Sequence, residues 1–293
     1  MILLVDANNL AYRNFYAQNL KTKSGQNTGM IYGFINSMLT VIKELNPDTI
    51  IYVWDPPGGS DYRKTMYKLY KANRDAQTPD FYEEKNILVS LLQAMSTIQI
   101  AHLGVESDDI LGYLSTIAYK NEETVIYSND KDVLQTMSTG ATVYLPDKGL
   151  LRIGSDGKIP IKEQGKTIFI RPDQVPDYKA LVGDPSDNYP GIPGFGIGAA
   201  INYFALNDRA MAIANGTANL SNQRSNVLSA VIQNRGMIPL WLDLATLNMT
   251  EGAKAVIPER STKNVDMVNA LFDHLEFNQF KALGEIVYKV GGK

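Results

Sequence analysis

The chain opens with Met-Ile-Leu-Leu-Val-Asp at residues 1–6, an apolar run that ends at Asp6. Two later segments repeat this pattern: Thr49–Trp54 reads TIIYVW, and Thr124–Tyr127 reads TVIY. Short, unbroken apolar runs are typical of strands buried on both faces of a sheet. We therefore predict three buried strands, with a weaker fourth at Ala141–Leu145.

Helical patterns lie between these strands. Helices are predicted at Asn8–Asn19, Gly29–Leu45, Pro79–Met95 and Ser107–Lys120. The alternation predicts an α/β fold with a mostly parallel central sheet flanked by helices. Residues 150–171 predict a hairpin, and the chain after Pro172 reads as helical except at Gly183–Gly198. We expect a domain boundary near residue 172.

Composition limits the chemistry. The 293 residues carry 28 Lys plus Arg against 31 Asp plus Glu, with no cysteine and two histidines, His102 and His274. This excludes disulfides, thiol catalysis, cysteine-bound metals and a multi-histidine metal site. Because neither a signal peptide nor a membrane span is apparent, we expect a cytoplasmic protein.

Acidic residues follow the predicted strands and open one helix. The candidates are Asp6, Asp55, Glu106, Asp108, Asp109, Asp130, Asp132, Asp184 and Asp187. Taken singly, each could be a turn or capping residue. Together they would meet at the carboxyl edge of the sheet, where like charges repel. We therefore predict a hydrolytic site holding two ions of Mg²⁺ or Mn²⁺, which prefer oxygen ligands.

A basic, aromatic segment occupies residues 63–74. Its cations and rings are Arg63, Lys64, Tyr67, Lys68, Tyr70, Lys71 and Arg74. At helical spacing Arg63, Tyr67, Tyr70 and Arg74 share one face, which predicts contact with a phosphate backbone and unpaired bases. The alternative is a solvated surface helix whose tyrosines pack inward.

A glycine-rich loop contains Gly191, Gly194, Gly196 and Gly198. It follows a predicted helix rather than a first strand, which argues against a dinucleotide site. Its backbone amides could hold a phosphate at a helix N-terminus without reading sequence. A purely structural turn is the alternative.

Six motifs occur in a characteristic order. They are LVD at 4–6, WD at 54–55, YKANR at 70–74, GVESDD at 104–109, SNDKD at 128–132 and GDPSDNYPG at 183–191. In this order they resemble the 5′ nucleases, which include phage 5′ exonucleases, flap endonucleases and the 5′–3′ exonuclease domain of bacterial DNA polymerase I. The resemblance runs from Asp6 to about Leu247.

The resemblance implies a PIN-like catalytic domain at residues 1–172, with a helical arch at about 57–85. It also implies a helical DNA-binding domain at 173–293, with a helix–three-turn–helix at about 184–205 that often binds K⁺. By position, Asp6, Asp55, Glu106, Asp108 and Asp109 match acids around the first metal. Asp130, Asp132, Asp184 and Asp187 match those of the second. Arg13, Lys71 and Arg74 match basic residues near the scissile phosphate, and Tyr70 matches a ring that contacts DNA.

The sequence departs from the family at two places. The turn after Asp55 is one residue longer than the bacterial pattern and lacks its usual lysine. Gly198-Ala199-Ala200 lacks the Lys or Arg that commonly follows the glycine loop. Since the chain leaves no room for a polymerase, we expect the free-standing form found in phages.

We therefore expect a monomeric 5′–3′ exonuclease or flap endonuclease for replication and repair. Its substrate would be DNA with a free 5′ end or flap, bound without sequence specificity, including RNA-primed ends. One alternative is a non-catalytic DNA junction-binding protein. Another, a haloacid-type phosphatase, needs a second Asp two residues after Asp6, where this chain has Asn8.

Overall fold

A six-stranded sheet forms the centre of the protein in the computed structural model, which describes residues 1–292. The strand order is β3-β2-β1-β4-β5-β6. The strands are β1 Ile2–Asp6, β2 Thr49–Val53, β3 Ile98–Ile100, β4 Thr124–Tyr127, β5 Thr142–Leu145 and β6 Gly149–Leu151. Every pairing is parallel except that of β5 with β6. The predicted α/β class with a mostly parallel sheet is confirmed.

Helices cover both faces of the sheet. They are α1 Ala7–Ala17, α2 Gly29–Leu45, α3 Asp61–Met66, α4 Pro79–Ala94, α5 Ser107–Tyr113, α6 Val175–Val182, α7 Ile197–Phe204, α8 Met211–Ala214, α9 Ser225–Asn234, α10 Ile238–Ala245, α11 Met249–Gly252, α12 Val265–His274 and α13 Asn278–Ala282. None of these described helices is both long and apolar enough to cross a bilayer.

Strand β1 shows why its sequence is apolar without alternation. Leu3 and Val5 belong to one hydrophobic core, formed mainly with α1, α2 and α4. Leu4 belongs to a second core on the other face, with Ile110 of α5 and Leu181 of α6. Successive strand side chains point to opposite faces, so both sets must be apolar when both faces are covered.

Two predicted helices are shorter than the sequence suggested. Ser107–Lys120 is α-helical only to Tyr113 and continues as a π-helical turn, Leu114–Ala118. The basic segment is helical only in α3, which ends at Met66. Residues 67–74 form turns, with Lys71 in the left-handed region at φ 55°. Strand β3 was missed because its three residues are too short to show a pattern.

The predicted hairpin is present. Strands β7 Ile159–Glu163 and β8 Lys166–Ile170 pair antiparallel. Gln164 and Gly165 between them both have positive φ, 49° and 73°, as a two-residue hairpin turn requires. The hairpin is a separate two-stranded sheet beside the main one.

The C-terminal segment returns to the first half of the chain. Phe280 of α13 lies against the ring of Tyr32 on α2, with centroids 5.4 Å apart. The hydroxyl of Tyr52, on β2, donates to the backbone oxygen of Val290 at 2.7 Å. The chain after residue 172 is mostly helical, and its last helices pack against elements of the first half of the chain.

Candidate active site

The carboxyl edge of the sheet gathers acids from three strands. Asp6 ends β1, Asp55 follows β2 and Asp130 follows β4. Asp6 also caps α1, because its Oδ1 accepts a hydrogen bond from the backbone N–H of Asn9 at 3.2 Å. The strand register and the helix that begins at the strand end thus fix the first of these carboxylates.

Hydrogen bonds join these acids to their neighbours. Ser128 Oγ donates to Asp6 Oδ2 at 2.7 Å. Asp55 accepts from the N–H of Ser107 at 2.7 Å and from Asn8 Nδ2 at 3.1 Å. Burial raises the pKa of Asp6 to about 7, and the nearby charges of Asp55 and Asp130 add to the rise. The carboxylates at this edge therefore repel one another, and a bound cation would reduce that repulsion.

Two groups of carboxylates lie close enough to share a metal ion. Asp108, Asp130 and Asp132 form one group, and Asp132, Asp184 and Asp187 form the other. Within each group, one oxygen from each residue lies within 4.8 Å of the others. Burial, together with the charges of Asp130 and Asp187, raises the pKa of Asp132 to about 7, although Lys179 lowers it. Because the donors are all oxygen, each group suits a hard divalent cation.

The loop after α6 positions the second group. Asp184 and Tyr189 exchange backbone hydrogen bonds at 2.9 and 3.1 Å. This narrow loop requires glycine at its base, since a Cβ on Gly183 would lie 2.5 Å from the Pro190 backbone oxygen. A Cβ on Gly191 would lie 2.3 Å from the nitrogen of Gly183. Gly191, predicted to bind DNA, is buried, and the close approach of the backbone requires a glycine there.

Lys71 and Arg74 reach the second group from the turn at 67–74. Arg74 Nη2 lies 2.9 Å from Asp187 Oδ1, and Lys71 Nζ lies 3.6 Å from the same oxygen. The N–H of Lys71 donates to the backbone oxygen of Asp187 at 3.0 Å. Burial would lower the pKa of Lys71, but Glu106 and Asp187 raise it, so it stays charged. The two cations therefore border the acidic edge, as predicted.

Lys179 is a site residue that the sequence reasoning missed. It is only 5% exposed, and its Nζ contacts Asp132 and lies 2.6 Å from Asp184. Burial alone would lower its pKa, but Asp132 and Asp184 raise it well above the usual value. The available signal was a lysine within the apolar residues of α6, five positions before Asp184.

Two residues with predicted roles pair with each other in the interior. Asp109 was predicted to bind a metal and Arg63 to bind DNA. Arg63 donates to both carboxylate oxygens of Asp109, at 2.7 and 2.8 Å. Asp109 has no exposed surface and Arg63 is 2% exposed. The pair instead ties α3 to α5.

Tyr70 and Glu106 form part of the same buried network. Tyr70, predicted to contact DNA, is 2% exposed, and its hydroxyl donates to Glu106 at 2.9 Å. Glu106 also accepts from Arg63 and Lys71. Burial alone would raise the pKa of Glu106, but these two cations lower it to about 2. Glu106 belongs to neither carboxylate group and holds Lys71 in place.

The remaining predicted DNA-binding residues lie at the surface. Lys64 and Lys68 are exposed and Tyr67 is half-buried. Arg13, half-exposed on α1, pairs with Asp147.

In the glycine loop, Gly194 and Gly196 are exposed and Gly198 is half-buried at the start of α7. Lys166 of β8 lies beside them, its Nζ 3.4 Å from the position of a Cβ on Gly198. A cation therefore stands near this helix start, although the sequence there has none.

Comparison with known proteins identifies the family. The model of the 5′–3′ exonuclease N-terminal, resolvase-like domain matches residues 1–180, and that of the C-terminal SAM fold matches residues 170–266. DNA polymerase I of Mycobacterium leprae is 32% identical over 94% of this chain, and that of Thermus filiformis is 31% identical over 97%. The chain spans 30% and 33% of the length of these relatives.

Solved structures show the same fold. The T5 D15 protein co-crystallized with metal ions has a TM-score of 0.65 at 17% identity, covering 94% of this chain and 98% of its own. The T5 5′-exonuclease with divalent zinc has a TM-score of 0.68 at 17% identity over the same shares. With both family models matched along most of its length, the chain belongs to the 5′–3′ exonuclease family.

Proposed function

We propose that the protein hydrolyses phosphodiester bonds in DNA near a free 5′ end or flap, with two divalent cations. The main support for this proposal is the pair of carboxylate groups that share Asp132. Two adjoining all-oxygen groups are the arrangement that two-metal phosphoryl chemistry requires. Bound Mg²⁺ or Mn²⁺ would supply Lewis acidity and a water activated near neutral pH.

The chain's own residues would bind and orient the substrate. Asp108, Asp130 and Asp132 would hold one cation, with Asp6 and Asp55 beside it. Asp132, Asp184 and Asp187 would hold the other. Lys71 and Arg74 now neutralise Asp187 and Glu106. With a cation on Asp187, Arg74 can turn to the phosphate oxygens, and Lys71, which Glu106 holds beside Asp187, adds positive charge there.

Backbone contacts would place the duplex and the unpaired strand. The exposed glycines before α7 offer amides to a phosphate, with Lys166 adding positive charge. Exposed Lys64 and Lys68, near the acidic edge, suit the 5′ single strand. The family resemblance of residues 57–85 to an arch supports this direction of entry. None of these groups reads a base, so we propose binding that is independent of sequence.

The test is cleavage of a 5′-labelled flap duplex. We expect products with Mg²⁺ or Mn²⁺ and none with EDTA. Asp132→Asn should lose most activity because Asp132 serves both carboxylate groups, yet it should still bind the duplex. Asp243→Asn, an exposed acid on α10, is the matched control and should cleave normally. Binding without cleavage in every sample would instead support a non-catalytic junction-binding protein.

Two further features belong to this proposal. We propose a K⁺ ion at the Gly191–Gly198 turn and a monomeric protein acting in the cytoplasm. Duplex affinity measured in KCl against the same concentration of LiCl tests the first. Light scattering of the purified protein tests whether it is monomeric.

A further inference from the structure

Lys85 is a cation at the acidic edge that the roles above do not use. It lies on α4, and its Nζ donates to Asn8 Oδ1 at 2.8 Å and to the backbone oxygen of Asp55 at 3.5 Å. Asn8 donates in turn to Asp55 Oδ2 at 3.1 Å. Lys85 therefore stands beside Asp55, although the two are 30 positions apart in sequence.

Lys85 differs from the other cations of this edge in its partners. Lys71, Arg74 and Lys179 each lie within 4.0 Å of a carboxylate oxygen. Among residues 1–292, no carboxylate oxygen lies that close to Lys85. Its contacts are the Asn8 amide, the backbone oxygen of Asp55 and the ring of Trp54, whose centroid is 5.1 Å from Nζ. All three are neutral.

These contacts hold the Lys85 ammonium in a position where it can bind an anion. An ammonium has three N–H donors, and the two oxygen partners of Lys85 leave one without a protein acceptor. The side chain is half-buried and rests over Trp54, so little side-chain entropy remains to be lost on binding. No carboxylate oxygen of the described residues pairs with Lys85 within 4.0 Å, although the charge of Asp55 acts on it from farther away, and its third N–H stays available to a ligand.

The phosphodiester backbone is the anion that the proposed substrate brings to this edge. The residues directly after Asp55 are Pro56 and Pro57, so the turn itself supplies no cation there. Lys85 provides one from a different helix. We propose that Lys85 binds a backbone phosphate of the substrate strand beside Asp55. This inference rests on the proposed function, since it assumes a nucleic acid at the edge.

A structural role makes a different prediction. If Lys85 only orients Asn8 and Asp55, its removal would slow cleavage without changing the number of phosphate contacts. A phosphate contact instead releases counterions, so its loss changes the salt dependence of binding. The slope of log Kd against log salt concentration therefore distinguishes the two roles.

The experiment measures binding of a fluorescein-labelled 5′-flap duplex by anisotropy in EDTA, from about 50 to 200 mM KCl. The variants are Lys85→Met, Lys85→Gln and Lys85→Arg. Lys43→Met is the matched control, because exposed Lys43 lies in the last turn of α2, which leads to the opposite edge of the sheet. Thermal melts select the folded proteins.

We expect Lys85→Met and Lys85→Gln to bind several-fold more weakly, with a salt slope smaller by about one. Lys85→Arg and Lys43→Met should keep the wild-type slope. A wild-type slope in the two neutral variants overturns the proposal, even if their cleavage is slower. Failure of the wild type to cleave in Mg²⁺ would refute the proposed function, whereas the slope in EDTA reports on Lys85 by itself.

Discussion

Replacing Arg63 with methionine removes the charge at the centre of a buried network while keeping most of the side-chain volume. Arg63 donates five hydrogen bonds: to Glu106 at 3.0 Å, to Asp109 at 2.7 and 2.8 Å, and to the backbone oxygens of Leu244 and Thr246 at 3.0 and 3.1 Å. Every N–H of the guanidinium is thus used.

The size of the stability loss follows from the buried carboxylates that Arg63→Met leaves without a counter-charge. Asp109 has no exposed surface, and without Arg63 it keeps only one hydrogen bond, from the N–H of Asn248 at 2.8 Å. Glu106 keeps Lys71 and Tyr70. Breaking a buried ion pair by removing one partner typically lowers the free energy of unfolding by about 3–5 kcal/mol. We expect a loss of that size in Arg63→Met.

The stability lost in Arg63→Met should depend on pH, and the direction follows from the pKa of Asp109. Burial already raises the pKa of Asp109, although Arg63 opposes the rise. Without Arg63 the folded-state pKa rises further above the unfolded value, so the folded variant binds a proton more tightly. Protonated Asp109 therefore favours the folded variant at low pH, and this contribution to the free energy of unfolding is lost as the pH rises through the folded-state pKa. The loss in Arg63→Met should be larger at pH 8 than at pH 5.

The assay is urea unfolding followed by circular dichroism at both pH values. With the urea slopes of ordinary domains, the expected loss moves the midpoint down by about 1–2 M. Lys64→Met, the exposed neighbour on α3, should change the free energy by less than about 0.5 kcal/mol. Arg63→Met/Asp109→Leu should recover part of the loss, because no carboxylate is then left uncompensated at 109. A midpoint for Arg63→Met equal to that of Lys64→Met would refute the reasoning.

Three further predictions concern the acidic edge and the glycine loop. Lys71→Ala should lower kcat much more than it weakens duplex binding, and an equal loss in both would assign Lys71 to affinity alone. Because burial raises the pKa of Asp6 and Asp132 to about 7, in EDTA their contribution to stability should fall as pH rises from about 4 to about 7. Asp132→Asn should show a shallower fall in its urea midpoint over that range, and an unchanged profile would contradict this. Lys166→Met should weaken duplex binding in EDTA and reduce its salt slope by about one, while affinity for a single strand stays unchanged.

The sequence was sufficient for the central strands of the sheet and its acidic edge. The runs that became β1, β2 and β4 are apolar at every position because both faces are covered, and that pattern needs no partner to be visible. Asp6 and Asp55 stand at or just past the strand ends in the sequence itself. Parallel alignment then brings strand ends to one edge whatever the strand order.

The basic segment at 63–74 shows where sequence reasoning failed. Cations and tyrosines at helical spacing have the same pattern whether they face solvent or pair with buried acids. Arg63 and Tyr70 face the interior because Asp109 and Glu106, more than 30 positions away, supply the compensating charge. Lys64 and Lys68, which have no buried acid as a partner, lie at the surface.

What the sequence by itself determined was the α/β class, the edge where the carboxylates meet and the membership implied by six ordered motifs. Only the tertiary structure decided which charges are used within the protein and which remain available. Arg63 pairs with Asp109, Lys179 lies between Asp132 and Asp184, and Lys85 makes no direct ion pair with any described residue. The physical reason is that the state of a charge depends on its desolvation and its nearest counter-charge. Both are properties of distance in space, which spacing along the chain does not record.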